Sequence, residues 1–213
     1  MIRFFQGREQ HQYSRDADEM FRLRAHQFRD RLGWDVNVKD GWECDQFDEM
    51  NPLYLVSKDE QTGRVAGCMR YLPTTGPTMM RVFDQFFDQP FDIESPLVWE
   101  GSRFAIDPAI AKNRFTPRGL CLTTFELMAG AVEVALMAGV EHVVGIMDRY
   151  ALCIYRRTGN GPEIIASSDK LQTGTIYIGR WGITEAALES VRERSGIRES
   201  VLEDTSVLAE AVA

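Results

Sequence analysis

A long apolar stretch over residues 119–147 most constrains how this chain can fold. Its apolar side chains recur at helical spacing as far as residue 138, Gly139 stands where a helix would stop, and a β-prone run over 142–147 follows. A membrane span is not expected, because ionisable side chains interrupt the stretch at Glu126, Glu133, Glu141 and His142. The stretch therefore predicts a helix packed against a buried strand.

The rest of the chain adds strands first and mixed elements later. Period and turn signals predict helices over 16–32, 79–87, 148–158 and 184–195, and strands over 52–58, 64–72, 97–106, 163–167 and 173–180. Asp148 and Thr184 are suitable N-caps for the last two helices. This order is typical of an α/β fold, a mixed sheet with helices on both sides. We expect one domain over 1–213, with a tail over 197–213 that frays.

Composition limits the class of protein. A chain of 213 residues with 44% hydrophobic and 26% charged residues can bury one core, and its net charge of −8 argues against nucleic-acid binding. The four cysteines show no paired spacing, and Cys68, Cys121 and Cys153 have apolar neighbours, which favours buried free thiols over a metal site. No signal peptide is evident, so we expect a cytoplasmic protein without a metal.

Two charges stand inside a β-prone apolar segment, Trp99-Glu100-Gly101-Ser102-Arg103-Phe104-Ala105-Ile106. An isolated buried charge loses several kcal/mol of hydration, so Glu100 and Arg103 should be paired, near water, or used on a substrate. Residues three apart on a flat strand point to opposite faces. A bulge at Gly101 or Ser102 would bring both side chains to one cavity.

A second concentration of charged and aromatic residues lies upstream, and the two together carry a family resemblance. The ordered elements are Phe21-Arg22-Leu23-Arg24-x-x-x-Phe28, Gly33-Trp34-Asp35-Val36, Asp45-x-x-Asp48, Gly67-Cys68-Met69-Arg70-Tyr71-Leu72, Pro73-Thr74-Thr75-Gly76-Pro77-Thr78-Met79 and Trp99-x-x-Ser102-Arg103-Phe104. This set resembles the acyl-homoserine-lactone synthases, the autoinducer synthases of bacterial quorum sensing. The matches run from about residue 20 to residue 106, with a continuation to about residue 185.

The resemblance implies a fold and a reaction. The fold would be a three-layer α-β-α sandwich with a splayed mixed sheet, similar to the N-acetyltransferases. The reaction would join S-adenosyl-L-methionine, as a substrate and not a cofactor, to an acyl chain from acyl carrier protein or coenzyme A. The amine attacks the thioester, and the carboxylate then displaces the sulfonium side chain, which releases 5′-methylthioadenosine and N-acyl-L-homoserine lactone.

The charged residues are candidates for the catalytic roles. Glu100, held beside apolar residues, is our candidate for the base that deprotonates the amine; the alternative is a structural ion pair with Arg70 or Arg103. Asp45 and Asp48 would bind the amine or hold Arg24 and Arg70 in place, although such a pair alone is more often a solvated loop. Which of the three arginines would bind the substrate carboxylate is left open.

Aromatic and apolar residues are candidates for substrate binding. Arg24, Phe28 and Arg31 follow helical spacing, and Phe28 and Trp34 would close over adenosylmethionine, although Phe28 is as readily core. An acyl tunnel would use Met79, Phe104, Leu122, Phe125, Met128, Ile146 and Met147, each of which is more often plain core. Family members that prefer 3-oxo chains commonly carry threonine on the strand that here reads Val143-Val144-Gly145-Ile146-Met147. We therefore expect unsubstituted acyl chains.

The donor is expected to dock on basic residues. Acyl carrier protein is strongly acidic, and Arg149, Arg156 and Arg157 lie on the helix after Met147, although a solvated helix face explains Arg149 as well. A coenzyme A thioester would use the same entrance. Two other functions stay open, an N-acetyltransferase-like enzyme acting on another amine and a non-catalytic ligand sensor. The single glycine and the proline in Asn113-Arg114-Phe115-Thr116-Pro117-Arg118-Gly119 disfavour the first.

Overall fold

The helices and strands alternate much as the sequence pattern predicts. The computed structural model describes residues 1–88, 93–111, 114–116, 119–171 and 174–203. Its strands are β1 (Ile2–Gln6), β2 (Val38–Lys39), β3 (Trp42–Glu43), β4 (Leu53–Lys58), β5 (Val65–Pro73), β6 (Val98–Ile106), β7 (His142–Asp148), β8 (Glu163–Ser168) and β9 (Ile176–Gly182). Its helices are α1 (Ser14–Ala25), α2 (Met79–Phe83), α3 (Pro108–Ala111), α4 (Leu122–Met137), α5 (Arg149–Arg157) and α6 (Glu185–Ser195).

Seven strands form one mixed sheet in the order β1-β4-β5-β6-β7-β9-β8. All neighbours are antiparallel except β6 and β7, which are parallel. Side chains of α4, α5 and α6 pack on one face, which we call the α4 face, whereas α1 and α2 pack on the opposite α1 face. The sandwich is therefore the predicted three-layer α/β fold.

The sheet splits between its two parallel strands. The pairing of β6 with β7 consists of Val98 with His142, Trp99 with Val143 and Glu100 with Val144. Both strands run on beyond these pairs, β6 to Ile106 and β7 to Asp148. The strands therefore part just after Glu100, and their later residues border an opening between the two faces.

A β-bulge in β6 follows this point. Ser102 pairs with Arg70 and Ala105 with Cys68, so that Arg103 and Phe104 together oppose Met69. Arg103 has the left-handed backbone angle φ of 55°. A left-handed residue of this kind is what a bulge uses to insert one position. The bulge exists as predicted but lies at Arg103, because the paired backbone of Gly101 and Ser102 is regular.

The bulge changes which side chains share a face. Ahead of it, Glu100 and Ser102 point to the α1 face; behind it, Phe104 and Ile106 pack on the α4 face. A second shift, between Ser57 and Lys58, puts Val65 on the α1 face, whereas simple alternation predicts the α4 face with Met69 and Tyr71. In both places the extra residue reverses the face of the sheet that the side chains beyond it occupy.

The two predicted helix caps are confirmed, whereas some strands and the burial of the cysteines differ from the prediction. Asp148 accepts a hydrogen bond from the Ala151 amide at 2.7 Å, and Thr184 accepts from the Ala187 amide at 3.1 Å. The prediction missed β1, and the segment 33–50, expected to be a loop, contains the β2–β3 hairpin. Cys153 is exposed, and Cys121 is half-buried, against the expectation of buried thiols.

The C-terminal segment is ordered where the structure describes it. The Ile2 amide donates to the Val201 carbonyl at 2.6 Å, and the Glu203 amide donates to the Ile2 carbonyl at 2.8 Å. Val201 and Leu202 are buried in the main core. The prediction that the tail frays is therefore wrong for residues 200–203, and residues 204–213 lie outside the described residues.

Candidate active site

A buried group of three arginines and three carboxylates lies on the α1 face beside the split in the sheet. We call this set the ion cluster: Arg24, Glu43, Asp45, Asp48, Arg70 and Arg103. Its members come from α1, the β2–β3 hairpin, the turn that follows it, β5 and β6. The structure thus brings together five of the charged residues that the sequence singled out and adds Glu43, whereas Glu100 of β6 lies beside the cluster.

Arg24 and Arg70 use their donors within the protein, mostly on carboxylates of the cluster, and Arg70 Nε donates to the Ser102 hydroxyl at 3.2 Å. Arg24 donates from Nε to Glu43 at 2.6 Å and from both terminal nitrogens to Asp48 at 2.8 Å. Arg70 donates to both oxygens of Asp45, at 2.6 and 3.0 Å, and to Asp48 at 2.9 Å. The side chains of Arg24 and Arg70 are 1% and 0% exposed, so these two arginines organise the cluster from within.

Asp48 is held in its ionised form. Burial opposes ionisation, but hydrogen bonds from Arg24 and the charges of Arg24 and Arg70 outweigh it and hold the pKa of Asp48 well below its ordinary value. The Tyr54 hydroxyl donates to Asp48 at 2.8 Å, and burial with the Asp48 charge raises the pKa of Tyr54. Tyr54 stays a neutral donor.

Glu43 is the cluster residue that the sequence prediction missed. It is fully buried and accepts from Arg24 Nε and from Arg103, whose Nη2 lies 3.0 Å away. Its neighbours in the chain are Trp42 and Cys44, so no charge pattern singles it out. The signal that was available is its position two residues before Asp45, within the acidic segment.

Glu100 lies next to the ion cluster but forms no ion pair within the described residues. Its two carboxylate oxygens accept from the backbone amides of Met79 at 3.1 Å and Met80 at 2.6 Å, at the start of α2. The alternative interpretation of Glu100, a direct structural ion pair with Arg70 or Arg103, is therefore wrong. Burial raises the pKa of Glu100, although the two amides oppose this shift.

Arg103 is the cluster arginine that reaches outward. Its side chain is 11% exposed, and its Nη2 contacts Asp45 at 2.7 Å. Its Nη1 donates to the Met79 thioether sulfur at 3.7 Å, which is a weak acceptor. Because the bulge turns Arg103 to the α1 face, its free donor capacity lies on the same side of β6 as Glu100.

Aromatic rings flank the cluster. Phe28 and Trp34 are stacked with centroids 5.2 Å apart, and the Arg103 guanidinium lies 5.4 Å from the centre of the Phe28 ring. Trp34 is 44% exposed, so one face of this pair is open. Arg31 lies outside the ion cluster: the helix continues after α1 as a π-helical turn over His26–Arg31, and the exposed Arg31 donates to Gln27.

The apolar candidates do not form one group. Phe104, Phe125, Met128 and Met147 lie in or against the core on the α4 face, and Leu122 is half-buried at the start of α4. Ile146 packs on the α1 face instead, because neighbouring residues of β7 alternate. Met79 lies on the α1 face against Arg103. A tunnel on the α4 face would therefore not include Ile146 or Met79.

The basic candidates lie on the exposed side of α5. Arg149, Arg156 and Arg157 are all exposed, and the Arg157 carbonyl accepts from Arg194 at 3.3 Å. A separate open depression of about 480 Å³ borders the ion cluster. Its lining is Gln46, Phe47, Thr75, Gly76, Pro77, Thr78, Arg81 and Val82.

The described part of the chain has neither a metal-binding cluster nor a membrane-spanning helix. No group of three or more histidine, cysteine or carboxylate side chains is placed to hold a metal ion within the described ranges. Among the helices that the structure describes, none combines the length and apolar character needed to cross a membrane.

Comparison with known proteins places this site in a family. Residues 8–191 match the autoinducer synthase family. An acyl-homoserine-lactone synthase from Rhizobium etli is 42% identical over 180 residues, which are 84% of this chain and 82% of that protein.

Solved structures share the fold. BjaI, a CoA-dependent acyl-homoserine lactone synthase with SAM and isopentyl-CoA, matches with a TM-score of 0.82 at 24% identity, covering 99% of this chain and 98% of that one. The synthase LasI matches with a TM-score of 0.75 at 26% identity, over 93% and 98%. A Lactobacillus plantarum chain assigned to the N-acetyltransferases matches with a TM-score of 0.53 at 13% identity, over 86% and 99%.

The fold resembles that of an N-acetyltransferase, and the family match identifies the protein as an acyltransferase. The sequence match is specific, since it spans most of the chain and of its relatives. This chain belongs to the autoinducer synthase family, the acyl-homoserine-lactone synthases. The predicted family, fold and enzymatic class are confirmed.

Proposed function

We propose that this chain makes an N-acyl-L-homoserine lactone from S-adenosyl-L-methionine and an acyl thioester, releasing 5′-methylthioadenosine. The observation that carries the proposal is that Glu100 and the outward donor of Arg103 lie on the same face of β6, beside the split between β6 and β7. Adenosylmethionine needs a base for its amine and a cation for its carboxylate, and the acyl thioester needs an opening in the sheet. The site offers the base, the cation and the opening.

Glu100 is the base for the methionyl amine, directly or through a water. Its oxygens each keep a lone pair beyond the amide hydrogen bonds, and the raised pKa improves its match to a proton acceptor near neutral pH. The freed amine attacks the thioester carbonyl. The C–N bond forms, the C–S bond breaks, and the thiolate leaves with a proton.

Arg103 binds the methionyl carboxylate. Arg24 and Arg70 are buried and saturated, whereas Arg103 Nη1 faces only a thioether, which a carboxylate would displace as a much stronger acceptor. In the second step that carboxylate attacks the carbon bound to the sulfonium, which closes the lactone and expels 5′-methylthioadenosine. The stacked Phe28 and Trp34 suit the cationic substrate.

The acyl donor is delivered on acyl carrier protein and carries an unsubstituted chain. The exposed arginines of α5 offer positive charge to an acidic carrier. The β7 residues Val143–Met147 offer no hydroxyl to a 3-oxo group. BjaI, in contrast, is a CoA-dependent relative with the same fold. The donor is therefore the part of the proposal that most needs a direct comparison.

One assay tests both the synthase reaction and the type of acyl donor. The purified protein is incubated with adenosylmethionine and matched acyl thioesters of carrier protein or coenzyme A, and methylthioadenosine and lactone are quantified. Lactone formed mainly from the carrier thioester supports the full proposal. Efficient use of coenzyme A thioesters alone contradicts the donor assignment, and amide without lactone from either donor contradicts the synthase reaction.

A further inference from the structure

Three glycines form one row across the split sheet on the α4 face. Gly145 of β7 pairs with Gly179 of β9. Gly101 of β6 adjoins them, since its carbonyl oxygen lies 2.8 Å from the position that a Cβ at residue 145 would occupy. This row comes directly after the last pair between β6 and β7, where the strands part.

The space over the glycine row is covered by side chains of unequal stiffness. The Met147 methyl group lies 2.6 Å from the Cβ position at Gly179, and the Met69 methyl group lies 3.7 Å from that at Gly101. Methionine side chains rearrange easily. The stiffer cover consists of Pro162, 2.7 Å from the Cβ position at Gly179, of Tyr71 and Val143, each 3.3 Å from that at Gly101, and of Trp181 Cζ3, 3.6 Å from that at Gly145. Trp181 is the stiff side chain over the middle glycine, beside the split.

Trp181 is fixed from two sides. Its indole Nε1 donates to the Asn160 carbonyl at 2.9 Å. Its ring meets Tyr155 edge-on with centroids 5.2 Å apart, and Tyr155 meets Phe104 edge-on at 5.7 Å. The three rings form a continuous wall from β6 to β9 around the opening.

The chemistry of the two faces directs the acyl chain to this wall. The α1 face at the split carries Glu100, Arg103 and the rest of the ion cluster, which would have to be desolvated to accept a hydrocarbon chain. The α4 face presents methionine, aromatic and glycine residues instead. An acyl chain that enters between the strands therefore lies over the glycine row.

We infer that Trp181 sets the upper length of the acyl chain, an inference that rests on the proposed function. A chain that enters at the split displaces the flexible methionine ends and stops against the indole over Gly145. Trp181 is a specificity-determining residue that takes no part in the bond changes.

A donor competition measures this limit. Wild type, Trp181→Leu and Trp181→Phe are each given an equimolar mixture of saturated acyl thioesters from hexanoyl to hexadecanoyl, with adenosylmethionine, and the lactones are resolved by mass spectrometry. Since one extra methylene in an apolar pocket changes kcat/KM by about 10- to 200-fold, Trp181→Leu should raise the ratio of longer products to the wild-type product by at least about tenfold. Trp181→Phe, which loses the bond to Asn160, should shift less.

Two further variants test the opposite shift and provide a control. Gly101→Ala adds a methyl group to the row, within 3.3 Å of Tyr71 and Val143, and should shift the products toward shorter chains. Ile183→Ala truncates the same core beyond the end of β9 and should leave the profile unchanged. An unshifted profile in both Trp181 variants at normal yield overturns the inference. Absence of lactone from wild type with every donor refutes the proposed function instead.

Discussion

The Glu100 carboxylate accepts hydrogen bonds from the first amides of α2, and in the proposed reaction it is also the base. Thr78, at the N-cap position of α2, makes no capping hydrogen bond, so Glu100 takes over that role. Glu100→Gln keeps the shape and removes the base. Turnover should fall about a hundredfold or more, while the affinity for adenosylmethionine, measured by calorimetry, changes little.

The pH profile distinguishes a base from a purely structural acid. Burial raises the pKa of Glu100 above its ordinary 4.5, so the ionised base is lost as the pH falls through that raised value. The kcat/KM of wild type should therefore rise with pH along an acid limb that Glu100→Gln lacks. Near-wild-type turnover of the glutamine variant, with the limb intact, would contradict the role.

Glu43 should matter more to stability than its inconspicuous sequence position suggests. Glu43→Ala leaves Arg24 and Arg103 facing a buried site without their shared acceptor. Because breaking a buried ion pair from one side costs about 3–5 kcal/mol, the free energy of unfolding in urea should drop by that amount. Glu49→Ala, an exposed neighbour, is the matched control, and equal small losses in both would refute the assignment.

Elements with local signals were predictable, whereas those made by long-range pairing were not. Asp148 and Thr184 could be recognised because a cap is decided within one turn. The strand β1 gains its pairing from β4, some fifty positions later, and two-residue strands such as β2 have no period to detect. The bulge was expected from the conflict between charges and alternation, but the backbone alone decides that it falls at Arg103.

The segment after α6 should contribute measurably to stability. Leu202 is buried, and β1 exchanges hydrogen bonds with this segment. Since truncating a buried leucine costs about 2–5 kcal/mol, Leu202→Ala should lower the free energy of unfolding by that amount. Met137→Ala removes a largely exposed side chain and serves as the control. Equal behaviour of the two variants would restore the frayed tail that the sequence predicts.

At the scale of the whole molecule, the net charge is negative, whereas the surface proposed to dock the carrier protein is positive. The chain carries −8, yet α5 exposes arginines. Arg156→Glu with Arg157→Glu should raise the KM for an acyl-carrier-protein donor, and the difference from wild type should shrink as salt screens the contact. The measurement is steady-state kinetics over a range of salt concentrations.

A charge-matched control separates docking from net charge. Arg8→Glu with Arg15→Glu makes the same change at two exposed positions away from α5. This pair should leave the KM for the carrier donor unchanged. Equal effects of the two double variants would mean that overall charge, and not α5, governs donor binding.

The left-handed Arg103 reverses which face of β6 the even-numbered residues occupy. Up to Ser102 the even positions look toward the charged face, and from Phe104 onward the even positions look away from it. If β6 had the same length but no bulge, Phe104 and Ile106 would turn toward the arginines, whereas deleting Arg103 would leave both on the apolar face and remove one arginine. The bulge therefore adds Arg103 to the charged face without moving its apolar neighbours off the core.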